Sequence, residues 1–202
     1  MNSNAINKKN ALYWNEVCGT HAAKAWGIKN KKKESLKKFD DLYFNYYPFL
    51  SSYIPFKKMK NKKILEIGPG YGSVSSKILS TKYSKFTCID IAKGPLDIVK
   101  TRVGKKNAIL LKEDFLTNNF ANESFDYIVA IGCLHHTGKL QKAIDECYRI
   151  LKKNGVLIGM VYYAFSYRRW ATKFSKTLKF LFENKNSIFE SDQTQSLYDI
   201  NQ

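Results

Sequence analysis

The sequence predicts an α/β protein built on a doubly wound, mostly parallel sheet of Rossmann-like type. Three observations predict it. From residue 63 onward short β-prone runs alternate with helical ones at the spacing of βαβ units. Most of these runs are apolar with little polar alternation, as strands are when helices cover both faces of a parallel sheet. The first run ends in a glycine-rich turn that leads straight into a helix.

The elements follow in order. Residues 1–60 read as a polar and aromatic helical cap or lid, with Leu36, Phe39, Leu42, Tyr43 and Tyr46 at helical spacing in a segment, 35–54, whose helix ends near Pro48. Residues 61–163 read as the α/β core. Its strands are 62–68, 85–90, 108–114, 125–132 and 156–163. Its helices start at Ser73, read as an N-cap, at Pro95, in a first turn, and at Leu140, a helix running to Lys153 and closed by Asn154-Gly155. Residues 164–202 read as one more helix, 167–183, and a polar tail with weak strand candidates. Right-handed crossovers give the order 3-2-1-4-5. The sheet is expected to stop at five strands, with the fifth edge poorly covered and the chain a shortened form of a longer protein.

Composition narrows the function classes. The chain has 202 residues and a net charge of +17, from 34 Lys and Arg against 17 Asp and Glu. Only Arg102, Arg149, Arg168 and Arg169 are arginines, so the charge is mostly lysine, dense at 29–38 and 57–63. A footprint for nucleic acid or an anionic surface is one reading. A solvated lysine-rich surface is the favoured one, because phosphate and base recognition prefers arginine forks. No run reaches the roughly 20 apolar residues of a membrane-spanning helix, and the N-terminus lacks the apolar region of a signal peptide. The four cysteines, Cys18, Cys88, Cys133 and Cys147, are scattered, which fits reduced cytoplasmic thiols and no metal site.

The chemistry is concentrated in ILEIGPGYGSVS, residues 64–75. Glu66 ends a strand, and Gly68, Gly70 and Gly72 permit a sharp turn and close backbone approach to a ligand. Asp90 ends the second strand, where a carboxylate can accept from both ribose hydroxyls, and Asp114, followed by Phe115, ends the third. Carboxylates at the ends of three successive strands face the crevice where open α/β sheets bind ligands. A nicotinamide site would prefer GxGxxG, but Ser73 stands at the third-glycine position, and a P-loop is excluded because no Gly-Lys-Ser/Thr follows.

With these residues in place the chain resembles the class I S-adenosylmethionine-dependent methyltransferases, in the type 11 subgroup similar to quinone-biosynthesis enzymes. The resemblance covers residues 13 to about 170 and includes Leu134-His135-His136 and the lead-in YWNEVCGTHAAKAWG, residues 13–27. It implies S-adenosylmethionine as cofactor, held by Glu66, Gly68, Gly70, Gly72, Asp90, Ile91, Asp114, Phe115 and Gly132. It implies a small organic methyl acceptor with an aromatic or quinone-like portion. An RNA or protein methyltransferase using the lysine surface is the alternative, and a cofactor-binding domain left inactive by an incomplete fold is a third. His135 and His136 are the candidate catalytic bases, weighed against a purely positional role. His21 could join them if the lead-in closes over the site. Cys133 reads as a small buried residue rather than a nucleophile. Tyr43, Phe44, Tyr46, Tyr47, Tyr162, Tyr163, Tyr167 and Trp170 are pocket candidates, most of them core by default.

Overall fold

Ile64 and Leu65 are neighbours in sequence yet bury their side chains in two different cores, because successive residues of a strand point to opposite faces. In the computed structural model, which describes residues 11–15, 20–104, 107–163, 167–172, 174–175 and 178, that strand is the centre of the sheet. The strands are β1 (Lys63–Ile67), β2 (Lys85–Asp90), β3 (Ala108–Lys112), β4 (Phe125–Ile131) and β5 (Leu151–Met160). Among the described residues they form one sheet in the order β3-β2-β1-β4-β5, every pair parallel. The order expected from right-handed crossovers is the one observed.

Helices cover both faces. On one, Ile64, Phe86, Cys88 and Val129 pack with Val74 and Ile78 of α4 (Ser73–Leu79) and with Leu96 and Val99 of α5 (Lys93–Val103). On the other, Leu65, Ile89, Ile128 and Ala130 meet Ala143, Cys147 and Ile150 of α6 (Leu140–Ile150). Ile144, beside Ala143 on α6, is 39 % exposed. Before the sheet come a helical segment, residues 11–15, then α1 (Thr20–Ala25), α2 (Lys33–Tyr46) and α3 (Leu50–Tyr53). No helix among the described residues is long and apolar enough to cross a membrane.

The long N-terminal helix ends where expected, near Pro48, whereas two later boundaries differ from the sequence reading, each for a local reason. The long helix breaks at Tyr47, whose φ of −120° and ψ of 66° are not helical; the ring of the next residue, Pro48, crowds the α conformation. Ser73 is not the N-cap of α4. Gly72 holds that position at φ 74°, a left-handed conformation that glycine adopts readily. The helix at Leu140 ends at Ile150, not Lys153, since Leu151 is already extended. Leu151 pairs with Phe125 and Val156 with Tyr127, so residues 152–155 bulge out of β5. Asn154 and Gly155 serve that bulge: Asn154 has φ 64°, and a Cβ on Gly155 would lie 2.8 Å from Leu151 Cδ2. Asp126 secures this end, accepting from Lys63 N at 2.7 Å and pairing with Lys152 at 3.0 Å.

Beyond β5 a helix, α7, spans Tyr167–Thr172. The tail and its two strand candidates lie outside the described residues, so the expectation about the fifth edge is tested only as far as Met160. There β5 pairs with β4 alone among the described residues, none of its ten residues is fully buried, and Val156 is 42 % exposed.

Candidate functional site

Strand order reverses between β1 and β4, and the loops that leave their carboxyl ends diverge there to open a crevice. The two loops touch at its floor. Gly68 has φ 62°, and a Cβ on it would sit 2.5 Å from the Cβ of Cys133. Only glycine fits so close an approach. Cys133 donates its thiol to the Ile67 carbonyl at 3.0 Å, and burial pushes that thiol far above its usual range. It is a packing residue, as its sequence context suggested, and a poor nucleophile. Above this floor lies a cavity of about 630 Å³, within the range of small-molecule and cofactor sites.

Glu66, Gly68, Gly70, Asp90, Ile91, Asp114, Phe115, Gly132 and His136 all line this cavity. Gly72 and His135 are not in its wall. Gly72 instead lets Arg102 approach, since a Cβ there would fall 2.9 Å from Arg102 Cδ and Nε. Glu66 is 3 % exposed and accepts from Ser75 Oγ at 2.5 Å. Burial pushes its carboxyl up to about 8, against the opposing pull of the Ser75 hydrogen bond and the Arg102 charge. Asp90 accepts from Ala92 N at 2.7 Å, and burial raises it to about 6. Asp114 accepts from Leu116 N at 2.9 Å, fixing the turn 115–117 that presents Phe115.

The two histidines part company. Both lie in the turn Leu134–Thr137 and are buried. His136 sits 4.8 Å from the Trp14 ring, and His135 packs 4.6 Å from Tyr162. Burial lowers His135 to about 4 and His136 to about 3, so both are neutral near pH 7. Neither ring nitrogen of His135 has a hydrogen-bond partner among the described residues. Of these two candidate bases, His136 lines the cavity and His135 does not. His21 falls in α1, and its side chain lies outside the described residues.

Several wall residues escaped the sequence reading. Ser73 lines the cavity with its hydroxyl buried and unpartnered among the described residues. Trp14, Trp26, Phe39 and Tyr71 join Tyr43, Tyr46, Tyr47 and Tyr162 in the wall, whereas Phe44 turns to the core beneath Lys77. Tyr163 and Tyr167 are exposed, and neither they nor Trp170 line it. The largest omission is Arg102. It donates to the Tyr71 carbonyl at 2.9 Å and holds Asp40 of α2 through two hydrogen bonds of 2.8 Å. No local pattern marks a pair separated by 62 positions. Among the described residues no group of histidine, cysteine, aspartate and glutamate could hold a metal.

Residues 65–159 match the family described as Methyltransferase domain, type 11. The chain is 30% identical over 124 residues to phosphoethanolamine N-methyltransferase of Plasmodium falciparum (isolate 3D7), covering 59% of this chain and 46% of that protein. It is 34% identical over 105 residues to a reducing polyketide synthase of Preussia isomera, covering 48% of this chain and 4% of that one. The chain thus spans less than half the length of these curated relatives. Its fold is similar to that of an S-adenosylmethionine dependent methyltransferase from Mesorhizobium loti, with a TM-score of 0.53 at 15% identity over 58% of this chain and 54% of the other.

Proposed function

We propose that this chain, whose residues 65–159 match the type 11 methyltransferase-domain family, binds S-adenosylmethionine at the carboxyl edge of its sheet and passes the methyl group to a small organic acceptor. One observation carries the reading. Glu66, Asp90 and Asp114, from the ends of β1, β2 and β3, share a single cavity wall with Gly68 and Gly70. In this reading Asp90 takes the ribose hydroxyls, while Ile91, Phe115 and Asp114 take the adenine. Glu66 faces the cofactor's ammonium end, and Gly68, Gly70 and Gly132 leave room for its backbone-facing side. Gly72 acts from behind by shaping the loop.

The residues present fit this cofactor. The wall holds carboxylates and, among the described residues, no lysine or arginine, which suits a ligand with a sulfonium and an ammonium and no phosphate. The buried Ser73 hydroxyl gives its carboxylate a donor. When bound, the cofactor supplies a methyl group already activated on sulfur, so the protein is asked chiefly to align an acceptor with it. Residues 11–15 close the crevice as a lid: Asn15 accepts from Gly94 N at 2.9 Å on one side, and Trp14 meets His136 on the other.

Calorimetric titration tests the reading. S-adenosylmethionine and S-adenosylhomocysteine should bind saturably and NAD should not; the reverse pattern would sink it. Asp90→Ala should weaken cofactor binding by about 1.5–3 kcal/mol, the scale of lost hydrogen bonds to a charged group, with the fold retained.

A pH dependence follows from Glu66. Its carboxyl, about 8 in the fold against an ordinary 4.5, holds a proton that the unfolded chain releases. Its contribution to stability is therefore full below pH 4.5 and is lost as pH rises through 8. Thermal unfolding of the ligand-free protein should show this decline, and Glu66→Gln should flatten it. A cationic ligand beside Glu66 favours the ionised form, so cofactor binding should tighten from about pH 6 to 8 and release protons. Affinity independent of pH across that range would remove Glu66 from the cofactor's contacts.

A further inference from the structure

Although the chain carries 34 lysines and arginines, the residues of formal charge that line the cavity, among those described, are Glu66, Asp90, Glu113 and Asp114. S-adenosylmethionine carries one net positive charge, and the wall around it holds acids and, among the described residues, no lysine or arginine. The same wall is rich in aromatic rings. Trp26, in the turn after α1, and Tyr46, at the end of α2, belong to it with their rings 6.3 Å apart, and Tyr47 packs 4.7 Å from Tyr46. Trp14 and Tyr162 complete it beside His136. Aromatic faces attract cations through the ring quadrupole, and Trp and Tyr do so most strongly. Among the described residues, no lysine or arginine stands in this wall to pair with an anion.

Resting on the methyltransferase reading, we infer that the acceptor is an amine without phosphate or carboxylate groups, methylated on nitrogen inside this aromatic wall. The amine reacts as its free base. Its lone pair forms the new bond to the methyl carbon as the carbon–sulfur pair returns to sulfur. The positive charge that leaves sulfur appears on nitrogen. Aromatic faces around that nitrogen stabilise the charge as it develops, the form of stabilisation that accelerates a reaction. No general base is needed for the attack itself, and a secondary amine gives up its remaining proton to water afterwards. A hydroxyl acceptor would need a base, and His136, neutral and weakly basic because of burial, serves that need poorly.

The test uses the full chain saturated with S-adenosylhomocysteine and a matched pair of probes, choline and phosphocholine, which differ by the phosphate. Tryptophan fluorescence reads binding, since Trp14 and Trp26 both line the cavity. Choline should quench it saturably, with phosphocholine at least tenfold weaker and p-cresol weaker than choline. Tyr46→Leu and Tyr162→Leu, at positions 65 % and 42 % exposed and so tolerant of truncation, should each weaken choline at least fivefold while leaving S-adenosylhomocysteine affinity unchanged. Methyl transfer from labelled cofactor to dimethylaminoethanol should exceed transfer to its phosphate ester by the same tenfold. If S-adenosylhomocysteine binds but phosphocholine matches choline, or p-cresol surpasses it, the inference fails and the cofactor reading stands. If S-adenosylhomocysteine does not bind, both fall.

Discussion

Gly68→Ala should destabilise the fold by about 3 kcal/mol and abolish cofactor binding. Two costs add. A residue with a Cβ held at φ 62° carries a penalty of roughly 1–2 kcal/mol for the left-handed conformation. The new methyl would also lie 2.5 Å from Cys133 Cβ, and overpacking of this kind costs about 1–3 kcal/mol. Relief would come by moving the β1 and β4 loops apart, which displaces Gly70 and Gly132 from the wall they share. Chemical denaturation separates the two costs. Gly27→Ala is the control, since Gly27 has φ 67° and an added Cβ there would meet only the end of Lys38, at 3.9 Å, so it should lose about 1–2 kcal/mol, the conformational part alone. Adding Cys133→Gly to Gly68→Ala should recover part of the steric cost, whereas Cys133→Ala, which keeps the Cβ, should not. A loss below about 1 kcal/mol in Gly68→Ala would mean that the two loops are not packed as described.

The central strands were legible because burial on both faces leaves a mark that needs no partner to interpret. KILEI and KFTCID are nearly continuous apolar runs, and four of the five residues in the first are buried, including Glu66. That exception points to the site, since a carboxylate in such a run is costly unless something uses it. Asp90 and Asp114 were readable for a related reason. Strand ends follow from sequence, and parallel strands put all their carboxyl ends on one side. What could not be read depends on contacts between distant segments. The Asn154-Gly155 pair resembles a helix stop, and only the register of β5 against β4 shows that it serves a bulge. Ser73 has the chemistry of an N-cap, but Gly72 takes the left-handed step first. His135 and His136 are adjacent in sequence, and the tight turn that holds them sends only His136 to the cavity. The placement of Trp14 against His136 joins segments more than a hundred residues apart.

Arg102→Ala is expected to destabilise the protein by about 3 kcal/mol and to weaken cofactor binding at the same time. Arg102 and Asp40 are 5% and 17% exposed in their side chains and only 2.8 Å apart. Removing one partner of so enclosed a pair strands the other's charge, which typically costs about 3–5 kcal/mol; the lower end applies because Asp40 keeps some solvent. The binding effect has a separate origin. The same guanidinium donates Nε to the Tyr71 carbonyl within the glycine loop, while its two terminal nitrogens hold α2, so one side chain ties the N-terminal helices to the cofactor turn. Arg102→Lys keeps the charge but cannot reproduce the planar fork, and it should recover part of the stability and little of the cofactor affinity. Asp40→Asn should cost stability while leaving the Tyr71 contact in place, and so should change cofactor affinity less than Arg102→Ala. Denaturation of the two single variants and the double one gives the coupling energy of the pair. A coupling below about 0.5 kcal/mol, or equal cofactor affinity in Arg102→Ala and the parent protein, would show that the tie between α2 and the glycine loop does not exist in solution.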